Sequence, residues 1–236
     1  MHRLIPAILI ALVAHAAWIG PLPASADEVP DLRTRKDGSD WPQFLGPTAD
    51  SKSTETGIIT DWPETGPRIV WQKTLGDMRN YGYAAPSISK GRLFIFDRIR
   101  NLNRLRCVKS ETGEKLWDYT FNTDYVDLLN YDGGPRCAPL VDDDRVYVIG
   151  AEGGLHCVKV VDGSRVWQVD TVGQFGVVQN FFGVGASPVI EGDLLICQVD
   201  GSPRTPGRSF TRPAGSSPVT PRPHSRPCTA NADASP

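Results

Sequence analysis

Three short pairs stand fifty residues apart: Asn80-Tyr81, Asn130-Tyr131 and Asn180-Phe181. An asparagine amide both donates and accepts hydrogen bonds, and the neighbouring ring offers a flat face for stacking. Gathered in one place, these residues would line a polar, aromatic binding site. Taken singly, each asparagine equally suits a turn that sets the course of a loop. Other chemistry is sparse. His2, His15 and His224 lie near the ends, which leaves His156 alone in the body and excludes a multi-histidine metal site. His156 alternates with Leu155 and Cys157, so it points away from their face. Asp142-Asp143-Asp144 reads as a solvated hairpin turn, because the spaced carboxylates of a calcium loop are missing. Gly183-Val184-Gly185 has Pro188 where a nucleotide loop needs its third glycine. No nucleophile, base and orienting group can be assembled.

The spacing of the pairs belongs to a repeat that runs through the body. Ala85-Pro86-Ser87-Ile88, Gly91 to Phe96, Leu105-Arg106-Cys107-Val108 and Thr112 to Trp117 form one unit. Ala138-Pro139-Leu140-Val141, Arg145 to Ile149, Leu155 to Val158 and Asp162 to Trp167 form the next. A third begins at Ser187-Pro188-Val189-Ile190, continues through Gly192 to Ile196, and stops matching after Asp200-Gly201. Cys107 and Cys157, Gly113 and Gly163, and Trp117 and Trp167 are each fifty residues apart. Each unit reads as four short strands separated by Asp- and Gly-rich turns. The second strand is apolar on consecutive residues, which buries both of its faces. A sheet of that kind needs a neighbour on each side, and radial stacking of four-stranded sheets makes a β-propeller. The expected fold is therefore all-β, a partial β-propeller of about three four-stranded blades.

Trp117 and Trp167 fall on the fourth strand, where a large ring fills the gap between blades. Trp71, within Arg68 to Leu75, ends a strand with no hairpin before it; such a strand usually completes the last blade of a ring. The loops expected at the channel mouth, about 76–83, 121–135 and 171–184, carry the three Asn-aromatic pairs.

Composition divides the 236 residues further. Residues 1–26 read as a signal peptide: His2-Arg3, an apolar run from Leu4 to Gly20, and Ala24-Ser25-Ala26 before Asp27. Residues 27–67 read as an N-terminal extension and 68–201 as the propeller part. The last segment, 202–236, is built mostly of Pro, Ser, Arg, Thr and Ala, cannot bury a core, and is expected to be disordered. The break inside a blade is what a shift of reading frame near Ser202 would produce; a genuine disordered tail is the alternative. The 27–201 body holds about three and a half units, fewer than the roughly four to eight blades of a closed ring. A net charge of −2 excludes a general basic field for nucleic acid or anionic lipid. Export without stable membrane insertion after signal cleavage follows. Cys107, Cys137, Cys157 and Cys197 occupy apolar positions and read as buried thiols, with a structural disulfide among them as the alternative. With Cys228 included, no Cys-x-x-Cys spacing occurs.

Ala-Pro, a hydrophobic hairpin, then Thr/Asp-Gly-x-x-x-Trp resembles the quinoprotein, or PQQ-like, propeller repeat. Trp41-Pro42-Gln43-Phe44-Leu45-Gly46-Pro47 is similar to the opening of exported bacterial proteins of that kind. The resemblance spans about residues 40–203. It implies either an exported module that binds a protein partner or small ligand, or a PQQ-dependent dehydrogenase of alcohols, polymeric ones included, that uses calcium and an aspartate base. No position here matches those calcium ligands or that base. The expectation is a binding or scaffold protein without catalysis as encoded, with PQQ and calcium belonging only to the alternative.

Overall fold

Tight hairpins set the elements. Lys90 and Gly91 both have positive φ, 46° and 75°, the two-residue turn whose twist suits adjacent antiparallel strands. The turn joins β1 (Ser87–Ser89) to β2 (Arg92–Ile99), and β3 (Leu102–Lys109) and β4 (Lys115–Asn122) follow. These four pair in the order β1-β2-β3-β4. The pattern returns in β5 (Leu140–Asp142), β6 (Arg145–Ile149), β7 (Gly154–Lys159) and β8 (Arg165–Asp170), again in sequence order. A short helix, α1 (Thr171–Phe175), follows β8 and is capped by the Asp170 carboxylate, which accepts from the Gly173 amide. The third sheet holds β9 (Val189–Glu191), β10 (Leu194–Cys197) and β11 (Arg208–Thr211), with β10 in the middle.

The computed structural model describes residues 28–76, 81–176, 181–192, 194–198 and 208–211. The expected signal at 1–26 and most of 202–236 lie outside the described residues. Within that last segment, Arg208–Thr211 pairs with the edge of β10. Phe and Thr are among the residue types that suit a strand.

The middle sheet shows why its second strand is apolar on every residue. Val146 and Val148 of β6 join Phe94, Phe96, Leu105 and Trp117 of the first sheet in one core cluster. Tyr147 and Ile149, pointing the other way, join Leu195 and Cys197 of the third sheet in a second cluster. Period-two alternation thus feeds two cores from one strand. The sheets stack face to face with β1 beside β5, and the Ser87 hydroxyl donates across the seam to the Pro139 carbonyl. This arrangement is a partial β-propeller.

The seam between the first two sheets is closed by an indole. Trp117 Nε1 donates to the Val160 carbonyl of the next sheet at 3.0 Å. Its ring lies so close to Gly163 that a Cβ there would stand 2.5 Å from the ring. Gly163 also has φ 72°, which costs a side-chain-bearing residue strain. The strand register shifts between Cys107 and Val108 opposite Trp117, and between Cys157 and Val158 opposite Trp167. These matching bulges turn the fourth strand and aim its indole. Trp71 uses the same socket on the first sheet: Nε1 donates to the Ser110 carbonyl at 2.9 Å, and the ring covers Gly113. Residues 68–75, expected as a strand, carry the docking tryptophan but join no ladder among the described residues.

Residues 28–55 cross the hairpin end of the first two sheets. Trp41 exchanges two backbone hydrogen bonds with Ile88 of β1, at 2.9 and 2.8 Å, and the Pro42 carbonyl accepts from Val141 of β5 at 2.7 Å. Leu32 donates to the Lys90 carbonyl, and Arg92 donates to the Pro30 carbonyl. Val29 is buried in the first core. The segment therefore ties the inner strands of two sheets together.

His156 is buried on the seam as well, on the face opposite Leu155 and Cys157. It stacks on Phe121 of β4 at a centroid distance of 3.8 Å, and the Tyr119 hydroxyl lies 2.8 Å from Nδ1. Burial, followed by the nearby positive charge of Arg165, pushes the imidazole pKa down to about 4.

Two outcomes are expected. Replacing Trp117 with Ala should cost ~3–5 kcal/mol, read as a fall in the urea midpoint, and Gly163→Ala should also destabilise. An unchanged midpoint for both would remove the indole from its role. For His156, the unfolded chain takes up a proton near pH 6.5 but the folded one only near 4, so stability is lost as pH falls through this window. The loss is on the order of 3 kcal/mol. Melting curves at pH 7.5 and 5 should show a drop that His156→Phe reduces; an equal drop in the variant would assign the effect to other groups.

Candidate functional site

At the end of the sheets opposite the hairpins, Gly76 with residues 81–83, loop 122–138 and residues 181–186 come together around two arginines. Arg98, at the end of β2, is 7% exposed. Its Nη1 donates to the carbonyls of Tyr125 at 2.6 Å and Gly133 at 2.8 Å, and its Nε donates to the Arg100 carbonyl at 2.7 Å. Arg136 spreads its fork wider. Nη2 donates to Asp127 Oδ2 at 3.1 Å and to the Asp132 carbonyl at 2.6 Å, Nη1 donates to the Gly134 carbonyl, and Nε reaches the Phe182 carbonyl at 3.2 Å. Its guanidinium also faces the rings of Tyr83 and Tyr125, 5.2 and 5.3 Å from their centroids, a geometry in which the ring quadrupole attracts the cation.

The carboxylates complete the frame. Asp132 accepts from the amides of Gly82 at 3.0 Å and Gly134 at 2.6 Å, joining the first loop to the second. Asp97 is bound by Arg104 through Nη2 at 2.6 Å and Nε at 2.9 Å, and it also accepts from the Gly76 amide at 2.7 Å. Asp127 caps the turn at Leu129 through a 2.8 Å bond. Three loops are thus held by charged groups that are themselves removed from water. Burial raises the pKa of the Tyr125 hydroxyl, which keeps it protonated.

The sequence candidates stand around this frame. Asn130 has φ 54° and its amide donates to the Asp127 carbonyl at 2.8 Å, a turn position that asparagine tolerates well. Tyr131 beside it is 67% exposed. Tyr81 and Phe181 are also exposed, and Phe181 makes an edge contact with Phe182 at 5.4 Å. Asn80 and Asn180 lie outside the described residues. The bond from the Gly82 amide to the Asp132 carboxylate and that from Arg136 Nε to the Phe182 carbonyl bring the three loops into contact. The described members of the candidate pairs, Tyr81, Asn130, Tyr131 and Phe181, are set on the outside of the arginine frame. Sequence reasoning missed Arg98, Arg136, Asp127 and Asp132. A usable signal was present: Asp97-Arg98 interrupts the apolar strand Phe94 to Ile99, and a charged pair inside such a strand needs partners.

Val126, Leu128 and Leu129 stand exposed beside Tyr131. The four described cysteines are free and buried, and burial pushes each thiol up to about 12. Among the described residues, no group of three or more His, Cys, Asp or Glu is arranged to hold a metal ion, and no helix is long and apolar enough to cross a membrane. What the frame can do is display an apolar surface on immobilised loops. Arg136→Met should leave Asp127 and Asp132 short of their buried partner and cost ~3–5 kcal/mol, with Arg136→Lys recovering only part because it lacks the fork. Equal urea midpoints for the unsubstituted chain and Arg136→Met would contradict the frame.

Among solved structures, the quinohemoprotein alcohol dehydrogenase of Comamonas testosteroni matches with a TM-score of 0.49 and 17% identity, over 75% of this chain and 24% of that one. BamB of Moraxella catarrhalis matches with a TM-score of 0.34 and 16% identity, over 59% of this chain and 34% of that one. A europium-containing methanol dehydrogenase matches with a TM-score of 0.27 and 23% identity, over 36% of this chain and 14% of that one. The chain spans a quarter or less of the length of the two dehydrogenases and about a third of that BamB. No curated protein matches it. The family model described as outer membrane protein assembly factor BamB matches residues 55–203, more than half of the chain, and the protein belongs to this family of PQQ-like repeat propellers.

Proposed function

We propose that the chain is an exported binding module whose loop end engages another polypeptide, in keeping with the assembly-factor description of its family. The observation that carries this reading is the contrast at residues 124–136. Asp127, Asp132 and Arg136 there are turned inward onto carbonyls, amides and one another, while Val126, Leu128 and Tyr131 are about two-thirds or more exposed. Adjacent apolar side chains on an immobilised loop mark an interaction surface, and pre-ordering reduces the entropy lost when a partner docks.

A quinone–calcium pair requires a cluster of oxygen ligands open to the ion. Asp97, Asp127 and Asp132 instead direct oxygens to Arg104, Arg136 and backbone amides. These three carboxylates do not fit that pair.

The test is fluorescence anisotropy with a labelled, unfolded outer-membrane β-barrel polypeptide, alongside a dye-reduction assay with PQQ, calcium and alcohols. Saturable binding that Leu128→Ser with Tyr131→Ser weakens by about tenfold or more is expected. Binding indifferent to those substitutions, or alcohol-dependent dye reduction, would overturn the reading.

A further inference from the structure

Residues 31–55, which cross the hairpin end of the first two sheets, are folded largely on themselves. The Trp41 ring rests on Gly46 of the same segment, so close that a Cβ there would stand 2.7 Å from it. Glu55 accepts from the Ser39 amide at 2.6 Å and from Arg35 at 2.9 Å, and Asp31 accepts from the Arg33 amide at 3.0 Å. Phe44 and Leu45 are exposed. Leu45, Ala49 and Ser51 have φ of 65°, 56° and 61°, a left-handed conformation that costs residues with a side chain. One end of the segment is fixed, because Val29 is buried in the first core and Arg92 donates to the Pro30 carbonyl. Beyond that point the backbone bonds at Leu32, Trp41 and Pro42 are joined by two carboxylates. Glu111, in the turn between β3 and β4, accepts from the Thr34 amide at 2.8 Å and from its hydroxyl at 2.7 Å. Asp40 accepts from the Lys90 amide at 3.1 Å and the Ser89 hydroxyl at 3.4 Å.

We propose that residues 31–55 are a carboxylate-latched strap, which swings off the inner strands about Val29 when Asp40 and Glu111 are neutralised, while the sheets stay stacked. Bonds to an ionised carboxylate are roughly twice as strong as neutral ones, so protonation weakens the latch without touching the apolar seams. The charged groups around it all favour the ionised form. Arg33 lies 3.5 Å from Asp40, Lys36 lies 3.5 Å from Asp31, and Lys90 pairs with Asp143 at 3.4 Å. The bonds from Thr34, followed by the charge of Lys36, hold the Glu111 carboxyl below its usual range. The Ser39 amide and Arg35 do the same for Glu55, and Arg33 does so for Asp31. These carboxyls are more acidic in place than in a free chain, so the strap is held above the ordinary carboxylate range of about pH 4 and is released as pH falls through and below it. Release uncovers the amide and carbonyl of Ile88 and the amide of Val141, the inner-strand groups that the strap now pairs. This device lies at the end of the sheets opposite the loop surface and is independent of it.

Hydrogen exchange of the full chain, read amide by amide, tests this. The first reading needs no variant to fold. At pH 7 the amides of Leu32, Trp41 and Ile88 should be protected at least about tenfold less than those of Leu105 and Val148, as a locally opening unit requires. Equal protection would make the strap part of the cooperative fold and overturn the proposal. Combining Asp40→Asn with Glu111→Gln imitates protonation. At pH 7 this pair should lower protection of the strap amides by a further factor of about ten and leave Leu105 and Val148 unchanged. No change at the strap, or an equal loss at strap and core, would overturn the proposal. At pH 3.5 the difference between the two chains should shrink, since the latch is then neutralised in both, and His156 acts alike in both. A difference undiminished at pH 3.5 would show that charge is not what holds the strap, and would overturn it as well.

Discussion

A four-stranded sheet that is apolar on both faces is stable only between neighbours, and in this chain an indole at the seam of the first two sheets makes that neighbourhood specific. The ring of Trp117 needs a flat, side-chain-free landing place and finds it at Gly163; its N–H needs an acceptor and finds the Val160 carbonyl. Both needs recur at Trp71, Gly113 and Ser110. The bulges beside Cys107 and Cys157 fall where the fourth strand carries its indole. The alternating valines of β6, the stacked Phe121 and His156, and the inner-strand contact between Ser87 and Pro139 all depend on that spacing between sheets.

The loop end solves a different problem. Long connections between blades leave carbonyl groups with no strand to receive, and burying them unpaired would be costly. Arg98 and Arg136 supply a dense set of donors in fixed directions, so a few side chains satisfy Tyr125, Asp132, Gly133, Gly134 and Phe182 together. The charge needed for this is balanced locally by Asp127 and Asp132. Polar residues thereby do the internal work, and the outward positions are left to apolar ones. The segment around Trp41 acts at the other end, where it adds backbone bonds to β1 and β5.

The fold was legible because its determinants are periodic. A fifty-residue offset shared by Cys, Gly and Trp announces stacked units, and consecutive apolar residues in Arg145–Ile149 announce a strand covered on both sides. The direction of His156 followed from simple alternation. The loop frame was less legible because its parts lie far apart in sequence: Arg98 and Gly133, or Gly82 and Asp132, meet only after the blades have stacked. The Asn-aromatic pairs stand out by repetition, and of their asparagines the described one, Asn130, holds a left-handed turn. Residues 68–75 show the limit of strand propensity, since a strand needs an edge to pair with and not only a suitable composition. The brief pairing of Arg208–Thr211 shows the converse, a short run drawn into a ladder from a Pro-rich surrounding.

Four sulfurs sit within the described blades, each with its acidity suppressed by the apolar shell around it. With a pKa of about 12, roughly one thiol in a hundred thousand is ionised at neutral pH, and only the ionised form attacks another sulfur. Once the blades have closed, an oxidising milieu therefore has almost nothing to act on. The same sulfurs are ordinary and reachable in the extended chain, so the race between blade stacking and oxidant is settled before the molecule is complete.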